Sequence, residues 1–536
     1  MAKYPIVFMF RYLLCFIFLS LTVAHAEFPP LPETAWRSAH EKPAMTIEET
    51  TIFMKELVEY VAEHHLKRNE SSPQKGMIYE YFNTKKAGTI EQYVQGETLD
   101  TMHDGCWFAV AMVNAYRATG DPFYKEILTE WQLPFYLKML NEGDTLFTSE
   151  RNDARSGTEA IWPVAERTLR GREKGFVPYW WDDGGSVSMD MYEKADNLLS
   201  RPGRDEFAAN GKPNPEHILH GYSLGSSNHL AQELAIMLQD SWVLLNESED
   251  SADQKLAAEI AEAARNLQDC RSRHGAPRIQ PVLAALAISN QDQEAHQKLD
   301  VVDWAHVKKG IEMNEYFRVV LHPAPKPPIF APFFADEQAF HYHETLAASG
   351  RLTKPAAFLL AYDAFTRPKL YQMYRNDGPL PPGVSAFDLN RVVYVNGELK
   401  TKRTKRLIGS RFGSQNMIMC ALSLQAFREY PKLWEEGREE IDDPSYFPPE
   451  SGEEIRAWMQ REASGGLRTW EAVFKEYGYI PAGIDAEGKN PAGFDWEDLS
   501  HCGAYAYLII AGAQWIHLQN ETTDWDVQNV PTPTAK

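Results

Sequence analysis

The chain has little cysteine, a deficit of positive charge, few strand signals and almost no long apolar run. Each shortage closes off a class of protein. Five cysteines in 536 residues, with no CxxC pair, make neither a disulfide scaffold nor a zinc ribbon. Cys106, Cys270, Cys420 and Cys502 are far apart, which leaves one or two disulfides open and no pairing fixed by spacing. Lysine and arginine number 54 against 75 acidic residues, a net charge of −21. So acidic a chain is a poor general binder of nucleic acid, because phosphate contacts need a basic surface, and any polyanionic substrate would need a local positive site that overcomes the overall field. Only 12–23 is a sustained apolar run, too short and wrongly flanked to span a bilayer, so no stable membrane insertion is expected. No GxSxG, P-loop, GxGxxG or HExxH occurs in its proper structural context. There is no exact internal repeat and no low-complexity linker that would split the chain.

What is present begins with a leader. Lys3 and Arg11 supply a positive start, 12–23 is apolar, and Ala24, His25 and Ala26 form a small-x-small cleavage pattern. Residues 1–26 therefore read as a signal peptide. Cys15 lies before most of the apolar run, which argues against lipid attachment. The mature chain, 27–536, is expected outside the cytoplasm, secreted or periplasmic. It exceeds the usual prior of roughly 100 to 200 residues per domain, as large toroids do.

Helical periodicity dominates the rest. Thr46 and Glu49 spell a capping box before an amphipathic run through Phe53, Met54, Leu57, Val58 and Val61. The stretches 104–119 and 123–140 flank Gly120, Asp121 and Pro122, which read as a helix stop, an N-cap and a first-turn proline. Further helical patterns cover 226–246, 250–270, 278–290, 336–349, 353–374, 411–429, 452–463, 466–477 and 499–517. The best strand signal is Val392 to Val395, then Asn396 and Gly397, then Glu398 to Lys400, a two-residue hairpin pattern. Long loops are expected at 170–225, 321–335, 376–410 and 478–498. Many antiparallel helical hairpins in one chain predict a mainly α fold, a ring of helix pairs with function in loops at one end.

The central stretch runs from Gly221 to His229. It is glycine- and serine-rich, then passes into a helix with Leu230, Leu234, Met237, Leu238, Trp242 and Leu245 on one face. Ser226 or Ser227 suits the helix cap, with Asn228 and His229 in the first turn. An amide beside an imidazole at a helix mouth can hold a carboxylate and handle a proton. The bland alternative is a helix-start asparagine and a packed histidine. Other chemistry-bearing clusters are 102–107, with His103 and Asp104; 179–185, with Trp180, Trp181, Asp182 and Asp183; 340–344, with His341, Tyr342, His343 and Glu344; 410–416, with Arg411; and 498–503, with His501. Lys400, Lys402, Arg403, Lys405 and Arg406 precede Arg411. Such a run reads first as a solvated hairpin and second as a substrate patch. Trp180 and Trp181 suit a core as well as a sugar platform. His341 and His343 lack a third metal ligand at a fixed spacing, so no metal site is assigned.

An exported helical-hairpin chain with an Asn-His pair, Asn228 and His229, and a later tyrosine resembles the polysaccharide lyases of the (α/α) toroid type. Alginate, glucuronan and heparinase-like lyases are examples. The resemblance covers roughly 90–510 and rests on short motifs. It implies an (α/α) toroid, an incomplete helical barrel, with a minor β-hairpin. It implies that Asn228 and His229 neutralise a uronate carboxylate, that Tyr342 moves the protons, and that Arg411 supports the tyrosine. Trp180, Trp181, Tyr222, His341, His343, Lys402, Arg403 and His501 are then substrate-binding candidates. The implied partner is an anionic polysaccharide, and the chemistry requires no metal or organic cofactor. Many such lyases append a large C-terminal β-sheet domain, whereas helical patterning here continues to about 517, which favours the toroid-only forms. Two other readings stay open. One is a glycoside hydrolase on the same architecture, with carboxylates drawn from Asp104, Asp182, Asp183 and Glu344. The other is a non-catalytic glycan-binding protein.

Overall fold

Thr46 and Glu49 close the reciprocal cap that their spacing predicts. The Glu49 amide donates to the Thr46 hydroxyl at 3.2 Å and the Thr46 amide to the Glu49 carboxylate at 2.9 Å. They open α1, Ile47–His64, which buries Phe53, Met54, Leu57, Val58 and Val61. The computed structural model describes residues 34–68, 75–88, 93–94, 101–142, 174–175, 227–273, 280–290, 292–299, 301–309, 311, 352–370, 380–395, 398–441, 448–484 and 495–522. Its described part is mostly helical.

After α1 come two short strands, β1 (Tyr81–Asn83) and β2 (Tyr93–Val94), and then α2, Thr101–Thr119. Gly120 turns the chain with φ +71°. Asp121 accepts from the Phe123 amide at 3.0 Å, and Pro122 starts α3, Pro122–Glu126. The returning helix is interrupted by a wider π-helical stretch, Ile127–Gln132, before α4, Leu133–Glu142. There follow α5 (Ser227–Asn246), α6 (Ser251–Arg273), α7 (Gln280–Ser289), α8 (Gln293–Gln297) and α9 (Lys354–Leu370). A hairpin, β3 (Ser385–Val395) with β4 (Glu398–Gly409), leads into α10, Arg411–Glu429. The chain continues as α11 (Leu433–Ile441), α12 (Gly452–Tyr477), β5 (Leu499–His501) and α13 (Cys502–Gln519).

Three long helices, α2, α10 and α13, run parallel, as their side-chain ties require. The Gly503 amide donates to Asp104, and one α-helical stretch further along Gln514 donates to Asn114 at 3.0 Å, so α2 and α13 start at the same end. Gln425 donates to Gln514 at 2.9 Å, and Arg428 donates to the Leu518 carbonyl, so α10 runs the same way. On its other side α2 meets α5, where the Trp107 indole donates to Glu233 at 2.9 Å. Both residues lie at the same depth from their helix starts. Around this row other helices run antiparallel. Trp515 and Gln519, near the end of α13, donate to the Met45 carbonyl before α1, while Tyr60 near the end of α1 stacks on Tyr505 near the start of α13. Every residue of α13 from Cys502 to Leu518 is buried, which its nearly all-round apolar sequence demands. No described helix is long and apolar enough to cross a membrane.

The structure differs from the sequence reading in four places. The patterns 452–463 and 466–477 are one helix, α12. Gly465 and Gly466 do not break it; they let other chain segments approach. A Cβ at Gly466 would lie 2.5 Å from the Met417 sulfur and 3.0 Å from the Gly383 Cα. The region 376–410, expected as a loop around a short hairpin, carries strands of 11 and 12 residues, with Val395 paired to Glu398. The pattern 499–517 splits into β5 and a helix that starts at Cys502. β1, β2 and β5 form a small antiparallel sheet in the order β2-β1-β5. β1 and β5 have every side chain buried, so no alternation marks them. All four described cysteines are free and buried. The aromatic content serves the core in part: Trp36, Trp107, Trp434 and Trp470 are fully buried.

Gly466→Ala should therefore destabilise the fold by about 1–3 kcal/mol through overpacking. Ser464→Ala, two residues earlier, should stay within about 0.5 kcal/mol of the parent. Urea unfolding of both variants measures the difference, and equal midpoints would mean that α10 and α12 are not held at this separation.

Candidate functional site

Buried polar groups gather where α2 and α13 begin. β1 and β5 pair Tyr81 with His501 and Phe82 with Ser500. Residues directly opposite in a ladder share a face, and the His501 ring accordingly stacks on Tyr81 at 4.8 Å. Successive strand residues face opposite sides, so Ser500 turns to a second set of partners.

On the His501 side lie Asp104, in the first turns of α2, and Glu80, just before β1. Their relative exposures are 4%, 1% and 3% for His501, Asp104 and Glu80, so all three are interior groups. The Asp104 carboxylate accepts from the Gly503 amide at 3.1 Å. It thereby satisfies one of the orphan donors at the start of α13, a helix whose own N-cap residue makes no side-chain cap. Nε2 of His501 sits 3.2 Å from Oδ2 of Asp104. That distance suits an ion pair, yet Nε2 makes no aligned hydrogen bond. The Glu80 carbonyl accepts from the Cys502 amide at 2.8 Å. Burial pushes the Cys502 thiol well above its ordinary range, and the nearby Asp104 and Glu80 carboxylates add to this. Cys502 is therefore a neutral thiol at physiological pH. One donor atom each from Glu80, Asp104 and His501 lies within 4.8 Å of the others, a group of metal-ligand type.

On the other side is a chain of hydrogen bonds. His65 contacts the Tyr79 carbonyl through Nδ1 at 2.8 Å, so Nδ1 carries the proton. Its Nε2 then accepts from the Ser500 hydroxyl at 2.8 Å. Ser500 in turn lies 3.0 Å from the Tyr505 hydroxyl, and Tyr505 accepts from the Ile480 amide at 2.8 Å. Burial lowers the His65 pKa from 6.5 to about 3, so the ring is neutral. Tyr60, stacked on Tyr505, is pushed up to about 12 by burial.

Comparison with protein-family models, with curated proteins and with solved structures finds no match to this chain.

The residues singled out in the sequence fall unevenly on the described chain. Asn228 and His229 occupy the first turn of α5, and Arg411 is the first residue of α10. Lys402 and Arg403 lie on β4, opposite Arg391 and Asn390. The side chains of these five lie outside the described residues, as do Trp180, Trp181, Tyr222, His341, Tyr342 and His343 altogether. His501 is buried against Asp104 and Tyr81. Sequence reasoning did not single out Glu80, His65, Tyr505 or Tyr60, and met Ser500 only as a member of the 498–503 cluster. One signal was available for Glu80, a single acid inside the run Ile78, Tyr79, Tyr81, Phe82. For the others, spacing carried none, because their partners come from distant segments.

A histidine with a lowered folded pKa gives stability that is full above the unfolded pKa and is lost as pH falls. For His65 the window runs from about 6.5 down to about 3, since only the unfolded chain takes the proton there. His65→Gln should lower stability at pH 7, and its urea midpoints at pH 7 and pH 5 should lie closer together than the parent's. An equal gap in both proteins would remove His65 as a source of acid sensitivity.

Proposed function

We propose that this chain is an exported polysaccharide lyase that cleaves a uronic-acid polymer by β-elimination on an (α/α) toroid. One observation carries the reading: α2, α10 and α13 start at the same end, and α5 is tied to α2 at equal depth from its start. Parallel helices flanked by antiparallel ones are the organisation that an (α/α) ring needs. Helix starts carry partial positive charge and free amides, which favour an anionic ligand. The first turns of α5 and α10 bear Asn228, His229 and Arg411, and the basic strand β4 leads directly into Arg411. In an acidic chain this end suits an anionic polymer. The start of α13 is already neutralised by Asp104, so α5 and α10 are the starts assigned to substrate.

In this reading Asn228 and His229 hold the uronate carboxylate and lower the cost of negative charge at C5. Tyr342, as phenolate, takes the C5 proton. The C4–O4 bond breaks, a C4–C5 double bond forms, and O4 leaves with the proton from the tyrosine. A free tyrosine has a pKa of about 10, so the guanidinium of Arg411 is assigned to favour the phenolate. Lys402 and Arg403 contact the polymer further from the reacting ring, with Trp180 or Trp181 at the cleft rim. No cofactor takes part. The hydrolase reading gains nothing from Asp104, which is buried and engaged as a cap.

The test is a panel of uronate polysaccharides followed by ultraviolet absorbance of the unsaturated product. One polymer should yield that absorbance, and Tyr342→Phe should cut turnover by about 10²–10⁴-fold. Asn228→Ala should lower the maximal rate, whereas Lys402→Ala should mainly raise KM. New reducing ends without the absorbance would establish a hydrolase. Saturable polymer binding with no cleavage would establish a glycan-binding protein. Near-normal turnover by Tyr342→Phe would assign the proton transfer to another residue.

A further inference from the structure

The Glu80, Asp104 and His501 cluster has a feature that ion pairing does not explain. Nε2 of His501 is fully buried and 3.2 Å from Oδ2 of Asp104, yet it makes no hydrogen bond because the approach is out of line with the ring. An imidazolium paired to a carboxylate points its N–H at the oxygen. Two ligands of one ion behave differently: each points at the ion, and they meet side by side. With metal bonds of about 2.0–2.2 Å, donors 3.2 Å apart subtend an angle of about 100°, between the octahedral and tetrahedral values.

We propose that Glu80, Asp104 and His501 bind one divalent transition-metal ion, zinc being the best fit to their donor set. All three donors are interior and lie within 4.8 Å of one another. Two carboxylates and a neutral imidazole carry two negative charges, which a divalent ion balances. Imidazole together with carboxylate favours zinc or manganese over magnesium, which prefers oxygen donors and retained water. The partial positive charges at the starts of α2 and α13 oppose a cation, but two full carboxylate charges outweigh them. A Cβ at Gly503 would lie 2.7 Å from Oδ1 of Asp104 and 3.3 Å from Cε1 of His501, so the glycine keeps room beside both donors. The ion would tie β1, α2 and the β5–α13 junction together. Its role is structural and independent of the elimination chemistry.

The test uses the full chain, treated with a chelator and then dialysed. Calorimetric titration with zinc chloride should give one saturable site, and zinc should raise the thermal midpoint. Magnesium chloride at the same concentration should give neither. Glu80→Gln and Asp104→Asn should each weaken zinc binding by at least about 10-fold; the asparagine keeps an oxygen for the Gly503 amide. His306→Gln, at an exposed histidine beside Asp303, should bind as the parent does. Cobalt in place of zinc should give visible bands of nitrogen and oxygen ligation without a thiolate charge-transfer band. The proposal is overturned by absence of saturable zinc binding, by magnesium binding as tight as zinc, by zinc binding unchanged in both variants, or by a thiolate band, which would put the metal on Cys502. If Asp104→Asn does not fold, Glu80→Gln and the cobalt spectrum of the parent chain decide. No substrate is used, so the outcome is separate from that of the lyase reading.

Discussion

Three buried amides set the register on which the rest of the described structure depends. Asn114 in α2, Gln514 in α13 and Gln425 in α10 are each fully buried. Gln514 donates to Asn114 and accepts from Gln425, so it bridges two helices. A buried amide left unpaired costs about 1–3 kcal/mol. Sliding any of the three helices by one turn would break one or both links with no water to replace them. Apolar contacts are nondirectional and tolerate such a slide more readily. Polar links in the interior thus select one alignment among several that hydrophobic burial alone would allow.

That alignment brings the starts of α2, α10 and α13 to one end, with consequences for charge. Free amides and partial positive charges accumulate there. The fold answers locally at α13 by turning the Asp104 carboxylate onto Gly503. The same carboxylate meets His501, and Glu80 comes beside it from the edge of β1. Asp104 therefore has two tasks, to complete a helix that has no cap of its own and to contribute charge to an interior cluster. On the opposite face of β5, the Ser500 hydroxyl donates a hydrogen bond to a neutral His65 and accepts one from Tyr505. One short strand thus separates a charged centre from a neutral hydrogen-bond chain, because alternate side chains leave a strand on opposite sides.

Close approach is the second constraint. Gly383, at φ +74°, and Gly466 face each other so closely that a Cβ on Gly383 would lie 2.6 Å from the Gly466 Cα. The Gly383 amide donates to Glu462, and its carbonyl accepts from the Trp470 indole. The segment entering β3 is thereby held to the middle of α12. This fixes the point from which the β3–β4 hairpin departs and, at its return, the start of α10.

Local chemistry was enough to read much of this chain. The Thr46 and Glu49 cap, the Gly120, Asp121 and Pro122 turn, the α10 bounds and the pairing of Val395 with Glu398 in the β3–β4 hairpin all follow from residues within a few positions of one another. Their physics is short-ranged: caps, φ preferences and the periodicity of an apolar face. The two glycines of α12 misled that reading, because their use is to admit Met417 and Gly383, which no local pattern reveals. Of the buried cluster, only His501 and Asp104 stood out in sequence, and they stood in different groups. Glu80 joined them because β1 pairs with β5 across most of the chain. The sequence by itself determined where helices start and stop and which residues are polar at those starts. Tertiary structure alone decided which starts meet and which polar groups lose water, because burial and pairing are set by segments hundreds of positions apart.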